Sequence, residues 1–110
     1  MTPRLRTRLW VDAYLHRLGQ ENLPAYILHK GDPSSGAVIV KVATLDGNAV
    51  CYHRSFDLTT GERAWVALTD GDEPRVDESI AKQRGFDRDL WVIEVESRDG
   101  RHLLDDDIGA

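Results

Sequence analysis

The chain has few of the residues on which disulfide, membrane or metal chemistry depends. Its single cysteine, Cys51, excludes an intramolecular disulfide and fits a reducing compartment. No apolar run approaches the roughly 20 residues that a membrane helix needs, and no signal-peptide core follows the basic N-terminus. We therefore expect a cytoplasmic protein with no membrane contact. The four histidines do not cluster by spacing, so we also expect no metal and no cofactor.

The chain also has fewer basic residues than acidic ones. There are 14 basic residues against 19 acidic ones, which gives a formal net charge of -5. Nucleic-acid-binding proteins usually have a broad basic surface, so this acidic balance argues against nucleic acid as the partner. The apolar and charged fractions, 41% and 30%, are those of a soluble globular protein. The length predicts one domain over residues 1–110, with residues 105–110 as a frayed acidic tail.

The strongest strand signal in the sequence is the apolar run at residues 37–42. Alternation along this run places Val38, Val40 and Val42 on one face, with Ile39 and Lys41 on the other. Near-continuous apolarity predicts an interior strand, and Lys41 is expected to reach the rim or meet a carboxylate. Further strands are predicted at residues 25–29, 49–54, 63–68 and 90–96, with a short edge strand at 101–104. The loop 31–36 is interpreted as a hairpin turn, so that the first four strands form a meander.

Two helices complete the expected elements. Thr2 is predicted to be the N-cap of the first helix and Pro3 its first residue. Apolar residues recur at helical spacing from there to Leu18. A second helix is predicted over about residues 74–84, with a thin apolar stripe that predicts a peripheral position. The first helix carries two stripes. The stripe predicted to face Val38, Val40 and Val42 consists of Trp10, Val11, Tyr14, Leu15 and Leu18, and the opposite stripe consists of Leu5, Leu9 and Ala13.

These elements predict an α+β fold with a mostly antiparallel sheet of five or six strands and two helices. The alternative is a three-layer α/β/α sandwich with a mixed sheet and the second helix on the other face. The strand–helix–strand segment 63–96 would allow one parallel pair in that arrangement. The second apolar stripe of the first helix predicts a possible homo-oligomer with Leu5, Leu9 and Ala13 in its interface.

No motif in the chain is a complete catalytic constellation. The loop 31–36 has the glycine spacing of a phosphate-binding loop, but a strand follows it, without the required Lys and Ser or Thr. A Cys51–His53 pair lacks an orienting third group. Lys41 lacks the acid two residues earlier that metal-dependent nucleases use, because Ile39 stands there. The remaining ligand-binding candidates are Asp32, Ser34, Ser35 and Lys41.

Three blocks of the sequence carry a family resemblance. Residues 9–15, residues 31–42, and residues 86–96 with Asp99-Gly100-Arg101 after them resemble the small alphaproteobacterial domain-of-unknown-function family 1491. The resemblance implies a bacterial single-domain protein and brings no activity, substrate or catalytic residue with it. Two hypotheses therefore stand: a small binding or interaction protein with an unknown protein partner, or a small enzyme or ligand-binding domain beside the loop 31–36 and Lys41.

Overall fold

A five-stranded mixed sheet forms the middle layer of the computed structural model, which describes residues 5–106. The strand order is β1-β5-β2-β3-β4, in which only the β2–β5 pairing is parallel. The predicted α+β class and the five strands are confirmed. The elements in chain order are α1 (Thr7–Gln20), β1 (Ala25–His29), β2 (Val38–Ala43), β3 (Asn48–Phe56), β4 (Arg63–Asp72), α2 (Glu73–Phe86) and β5 (Trp91–Glu96).

The two helices lie on opposite faces of the sheet, as in the three-layer alternative. β2 is central, and its alternation sends Val40 and Val42 into a core with α1 while Ile39 packs with α2. β-branched side chains suit a pleated, two-sided environment of this kind. The predicted interior strand is therefore confirmed, and the α1 core includes every residue of the predicted sheet-facing stripe: Trp10, Val11, Tyr14 and Leu18 buried, with Leu15 partly buried against them.

The predicted hairpin between β1 and β2 is wrong. β5 lies between these strands, antiparallel to β1 and parallel to β2. The physical reason is burial: Trp91, Val92 and Ile93 are all almost completely enclosed, so β5 needs a cover on both faces and a neighbour on both sides. The exposed alternate residues of β1 suit an edge position instead. The rest of the predicted meander, β2-β3-β4, is confirmed.

The short edge strand predicted at residues 101–104 is also wrong. These residues belong to no strand of the described chain, and Leu103 has a φ of 56°, which is incompatible with extended backbone. The segment instead folds onto the α1 side of the sheet. Leu104 is buried in the α1 core, and the Tyr14 hydroxyl donates a hydrogen bond of 2.7 Å to the carbonyl of His102.

The ends of α1 are set by contacts that the sequence pattern did not reveal. The Thr2-Pro3 cap lies outside the described residues, and Arg6 occupies the N-cap without a side-chain cap bond. At the other end the helix continues through Gly19, and Asn22 takes the left-handed conformation. The N–H groups of Asn22 and Leu23 bond to the carbonyls of Gly19 and Leu18, which is a Schellman ending with asparagine in place of glycine.

The α2 helix is peripheral, as predicted. Only Val76 and Ile80 are buried on it, and they pack with Ile39, Cys51 and Val92. The helix covers β2, β3 and β4 and leaves the β1 side of the same face open. Within residues 5–106, neither helix has the length and apolarity needed to cross a membrane.

Candidate functional site

A buried lysine surrounded by carboxylates lies between the sheet and α2. The Lys41 ammonium Nζ is 2.8 Å from Asp77 Oδ1, 3.0 Å from Glu94 Oε1 and 3.4 Å from Glu73 Oε1, although Lys41 is only 4% exposed. Register explains the Glu94 contact, because Lys41 and Glu94 are paired across β2 and β5. Glu73 and Asp77 are one turn apart at the start of α2. The prediction that Lys41 would meet a carboxylate is confirmed.

The electrostatics of this cluster hold Lys41 in its charged form. Burial alone would lower the pKa of Lys41, but hydrogen bonds to Asp77 and Glu94 and their negative charges outweigh it and raise the pKa. A lysine that acts as a nucleophile or base at neutral pH needs a lowered pKa instead. The arrangement is that of an ion-paired anchor that joins α2 to two central strands.

The loop 31–36 caps the first turn of α1. The N–H of Thr7 donates to the carbonyl of Ser34 at 3.3 Å, and the N–H of Arg8 donates to the carbonyl of Pro33 at 2.9 Å. The Thr7 hydroxyl donates to the carbonyl of Gly36 at 2.7 Å. Helix N-termini have unsatisfied N–H groups that can bind anions, but here the loop backbone satisfies two of them.

The polar groups of Asp32 are likewise engaged inside the fold. Its carboxylate accepts hydrogen bonds from the Ser35 N–H (2.7 Å) and hydroxyl (3.0 Å), and these bonds lower its pKa. Its carbonyl accepts the indole N–H of Trp91 at 2.8 Å. Its own N–H donates to the Asp89 carbonyl at 3.0 Å. The loop is thus bound to the chain just before β5.

The four ligand-binding candidates do not come together. Asp32, Ser34 and Ser35 lie beside the N-terminus of α1, whereas Lys41 lies under α2 on the other face of the sheet. The one cysteine, Cys51, is buried, and burial raises the pKa of its thiol. Among residues 5–106, no three His, Cys, Asp or Glu side chains are arranged to hold a metal ion.

An aromatic stack that includes an arginine connects α1 to the β3–β4 hairpin. The Trp10 ring stacks on Tyr14 and on Trp65, with centroids 4.9 and 5.4 Å away. The Arg54 guanidinium lies 5.5 Å from the Trp10 ring and 5.1 Å from the Trp65 ring, within cation–π range. Sequence reasoning missed this group because Arg54 and Trp65 become neighbours only through the β3–β4 register.

Part of the same hairpin extends past its neighbouring strand. β2 pairs with β3 only from Ala49 to Tyr52, whereas β3 and β4 remain paired as far as Phe56 and Arg63. Residues 53–66 therefore form a two-stranded arm, which we call the hairpin arm. Large apolar side chains are exposed along it: Phe56 is 57%, Leu58 91% and Val66 39% exposed.

The outer stripe of α1 is also uncovered by the described chain. Leu9 is 54% and Leu5 40% exposed, whereas Ala13 is half-buried. Leu103 and Leu104 pack into the core on the sheet side of the helix and do not cover this stripe.

Solved structures with the same architecture include proteins from two bacteria. A crystal structure of a DUF1491 family protein from Caulobacter crescentus CB15 is 36% identical, with a TM-score of 0.84, and the match covers 92% of this chain and 95% of that one. An NMR structure of a DUF1491 family protein from the same organism is 35% identical, with a TM-score of 0.80 and 94% of both chains covered.

A solution structure of protein Atu0922 from A. tumefaciens, 24% identical with a TM-score of 0.73 and 86% and 87% coverage, shares the fold. The comparison with curated proteins gives no match. The model of the family described as "Protein of unknown function (DUF1491)" matches residues 5–105. These relatives confirm the resemblance seen in the three sequence blocks, and the chain belongs to the DUF1491 family.

Proposed function

We propose that this protein acts by binding another protein chain and that the hairpin arm makes the contact. The observation that carries the proposal is the exposure of Phe56, Leu58 and Val66 on a two-stranded element that extends past the sheet. The arm exposes these apolar side chains at its tip and on both of its faces, because Phe56 lies on the face of Arg54 and Val66 on the other, so a partner chain that covers the arm would remove them from water. The Trp10–Trp65–Arg54 stack supports this role, because it fixes the base of the arm against α1.

The engaged polar groups also favour binding over catalysis. Lys41 is ion-paired on three sides, and the Asp32 carboxylate bonds within its own loop. A ligand-binding domain at the loop 31–36 would have to displace the bonds that cap α1. The alternative of a small enzyme or ligand site beside the loop 31–36 and Lys41 therefore has less structural support than a protein interface.

The test is a comparison of three baits in extracts of the native cell. Wild type, the double variant Phe56→Ser/Leu58→Ser, and the control Leu45→Ser are tagged identically. Leu45 is an exposed leucine outside the arm, in the turn between β2 and β3. We expect a partner that wild type and the control retain and that the arm variant loses. Retention of the same partner by all three baits would contradict the proposal.

A further inference from the structure

The outer side of β4 ends the sheet and carries backbone groups that no strand of residues 5–106 pairs with. The Asp57 N–H bonds to the Glu62 carbonyl at 2.8 Å, which fixes the phase of the antiparallel ladder along the arm. Because bonded and non-bonded pairs alternate, the Arg54–Trp65 and Tyr52–Ala67 pairs are of the non-bonded type. The backbone N–H and C=O groups of Trp65 and Ala67 therefore point away from β3, at the free edge.

This edge lacks the usual protection against pairing over residues 64–67. The segment Ala64-Trp65-Val66-Ala67 contains no charge and no proline, and the bulge of β4 comes only after it, opposite Cys51 and Tyr52. The other edge strand, β1, has five residues and is interrupted by a register shift between Ile27 and His29. Short length and bulges are the common ways of blocking an edge, so β4 is the open one.

We propose that β4 pairs antiparallel with β4 of a second copy of this chain, so that the two sheets become one. This inference rests on the proposed function and names its partner. A two-fold axis beside Val66 sets the outward groups of Trp65 against those of Ala67 of the other copy, which forms about four backbone hydrogen bonds. On the α2 side of the joined sheet, Val66 then faces Val66 of the second copy. On the α1 side, the large Trp65 side chain faces the small Ala67 side chain of the second copy.

The local absence of charge permits a second copy at this position. The chain carries a net charge of -5, so two copies repel each other at long range, and a surface that pairs with itself must be free of like charges. The segment 64–67 is uncharged and places no like charges opposite one another. The pairing also covers part of the exposed apolar surface of the arm around Val66, which supplies an energetic gain beyond the ladder itself. The outer stripe of α1, with Leu5 and Leu9, is the competing surface for self-association.

Crosslinking by introduced thiols tests the register directly. In the proposed dimer, Val66→Cys brings two thiols together at a non-hydrogen-bonded pair, where opposite Cβ atoms are about 4.5–5.5 Å apart. We expect mild oxidation to give a covalent dimer of this variant at micromolar concentration. Ala64→Cys, two residues away on the same side of β4, serves as the matched control and should remain monomeric on a denaturing gel. Wild type controls for Cys51, which is buried.

Sedimentation of further variants tests the interface without oxidation. Wild type should sediment as a dimer at micromolar concentration, and Val66→Lys should sediment as a folded monomer. Ala67→Pro removes an N–H that points away from β3, so it should have the same effect while circular dichroism stays native. Leu9→Glu should leave the dimer intact.

A strict monomer overturns the inference, as does crosslinking of Ala64→Cys as fast as Val66→Cys. If Leu9→Glu dissociates the dimer and Val66→Lys does not, the interface lies on α1 and the inference is also overturned. These failures are distinguishable from failure of the proposed function. If wild type is a monomer but captures a partner that the arm variant fails to capture, the proposed function stands and the pairing with a second copy is rejected.

Discussion

Lys41 illustrates how a cation can remain charged with almost no contact with water. Its three carboxylate partners come from α2 and β5, and each is more exposed than the lysine itself. Removal of the ammonium would leave these acids close together without a counter-charge, which is costlier than removal of one acid. The cluster also joins elements that are far apart in the sequence, so its loss affects the docking of α2.

We expect Lys41→Met to lower the free energy of unfolding by about 2–4 kcal/mol, less than a fully buried pair would give because the acids are partly hydrated. Asp77→Asn is the comparison, since Asp77 is exposed and two other acids remain, and it should cost less than about 1 kcal/mol. Urea unfolding of both variants measures the difference. Equal effects would mean that the lysine and the aspartate contribute alike, contrary to this account.

The same residue predicts an alkaline limit to stability. The pKa of Lys41 is raised in the folded state, so its contribution is complete below the unfolded pKa of about 10.4 and decreases as the pH rises above it. Burial raises the pKa of Tyr14 as well, which acts in the same direction. We expect the urea midpoint to decrease as the pH rises above about 10, and more steeply for wild type than for Lys41→Met. Parallel pH profiles would disprove the assignment to Lys41.

Gly31 is constrained by a close backbone contact. A Cβ at this position would overlap the carbonyl of Asp89, which is backbone and cannot move aside as a side chain can. Gly31→Ala should therefore destabilise the protein by about 1–3 kcal/mol. Gly19→Ala is the matched control, because Gly19 lies within α1 with no atom near its Cβ position, and it should stabilise by about 0.5–1 kcal/mol. Thermal unfolding of the pair decides the sign of each effect.

At the scale of elements, local periodicity was sufficient for some predictions and insufficient for others. The α1 stripe and the alternation of β2 follow from side-chain spacing alone, and the structure confirms both. The position of β5 between β1 and β2 depends on a pairing between distant segments, which spacing does not encode. For the same reason the candidate loop and Lys41 looked like neighbours in sequence but lie on opposite faces of the sheet.

The C-terminal segment illustrates a second kind of error. Residues 101–104 follow an Asp-Gly turn and were predicted as a strand, but the segment is fixed by the Tyr14 hydroxyl and by burial of Leu104. Leu104→Ala should cost about 2–4 kcal/mol, as for other buried leucines. Leu58→Ala, at a leucine that is almost fully exposed, should change stability by less than about 0.5 kcal/mol. Denaturant midpoints that are the same for both variants would mean that Leu104 contributes no packing.

For the whole molecule, we expect stability to be independent of metal ions and reducing agents. Cys51 is the only cysteine, and the described residues contain no metal-ligating group of three. Incubation with a chelator or a reductant should leave the unfolding midpoint unchanged. Stoichiometric zinc in tag-free protein, lost together with the folded signal on chelation, would contradict this prediction.

The interior position of β5, between β1 and β2, has a consequence for how the chain folds during synthesis. β5 is the last strand to leave the ribosome, yet it holds β1 to the rest of the sheet. Until about residue 96 has emerged, β1 has no partner strand, and the α1 core lacks four of its ten buried residues, namely Trp91, Ile93, Val95 and Leu104. The local β2-β3-β4 meander can form earlier, because it pairs neighbouring segments. Until β5 emerges, the nascent chain therefore presents the unpaired edge of β2 to solvent or to other chains.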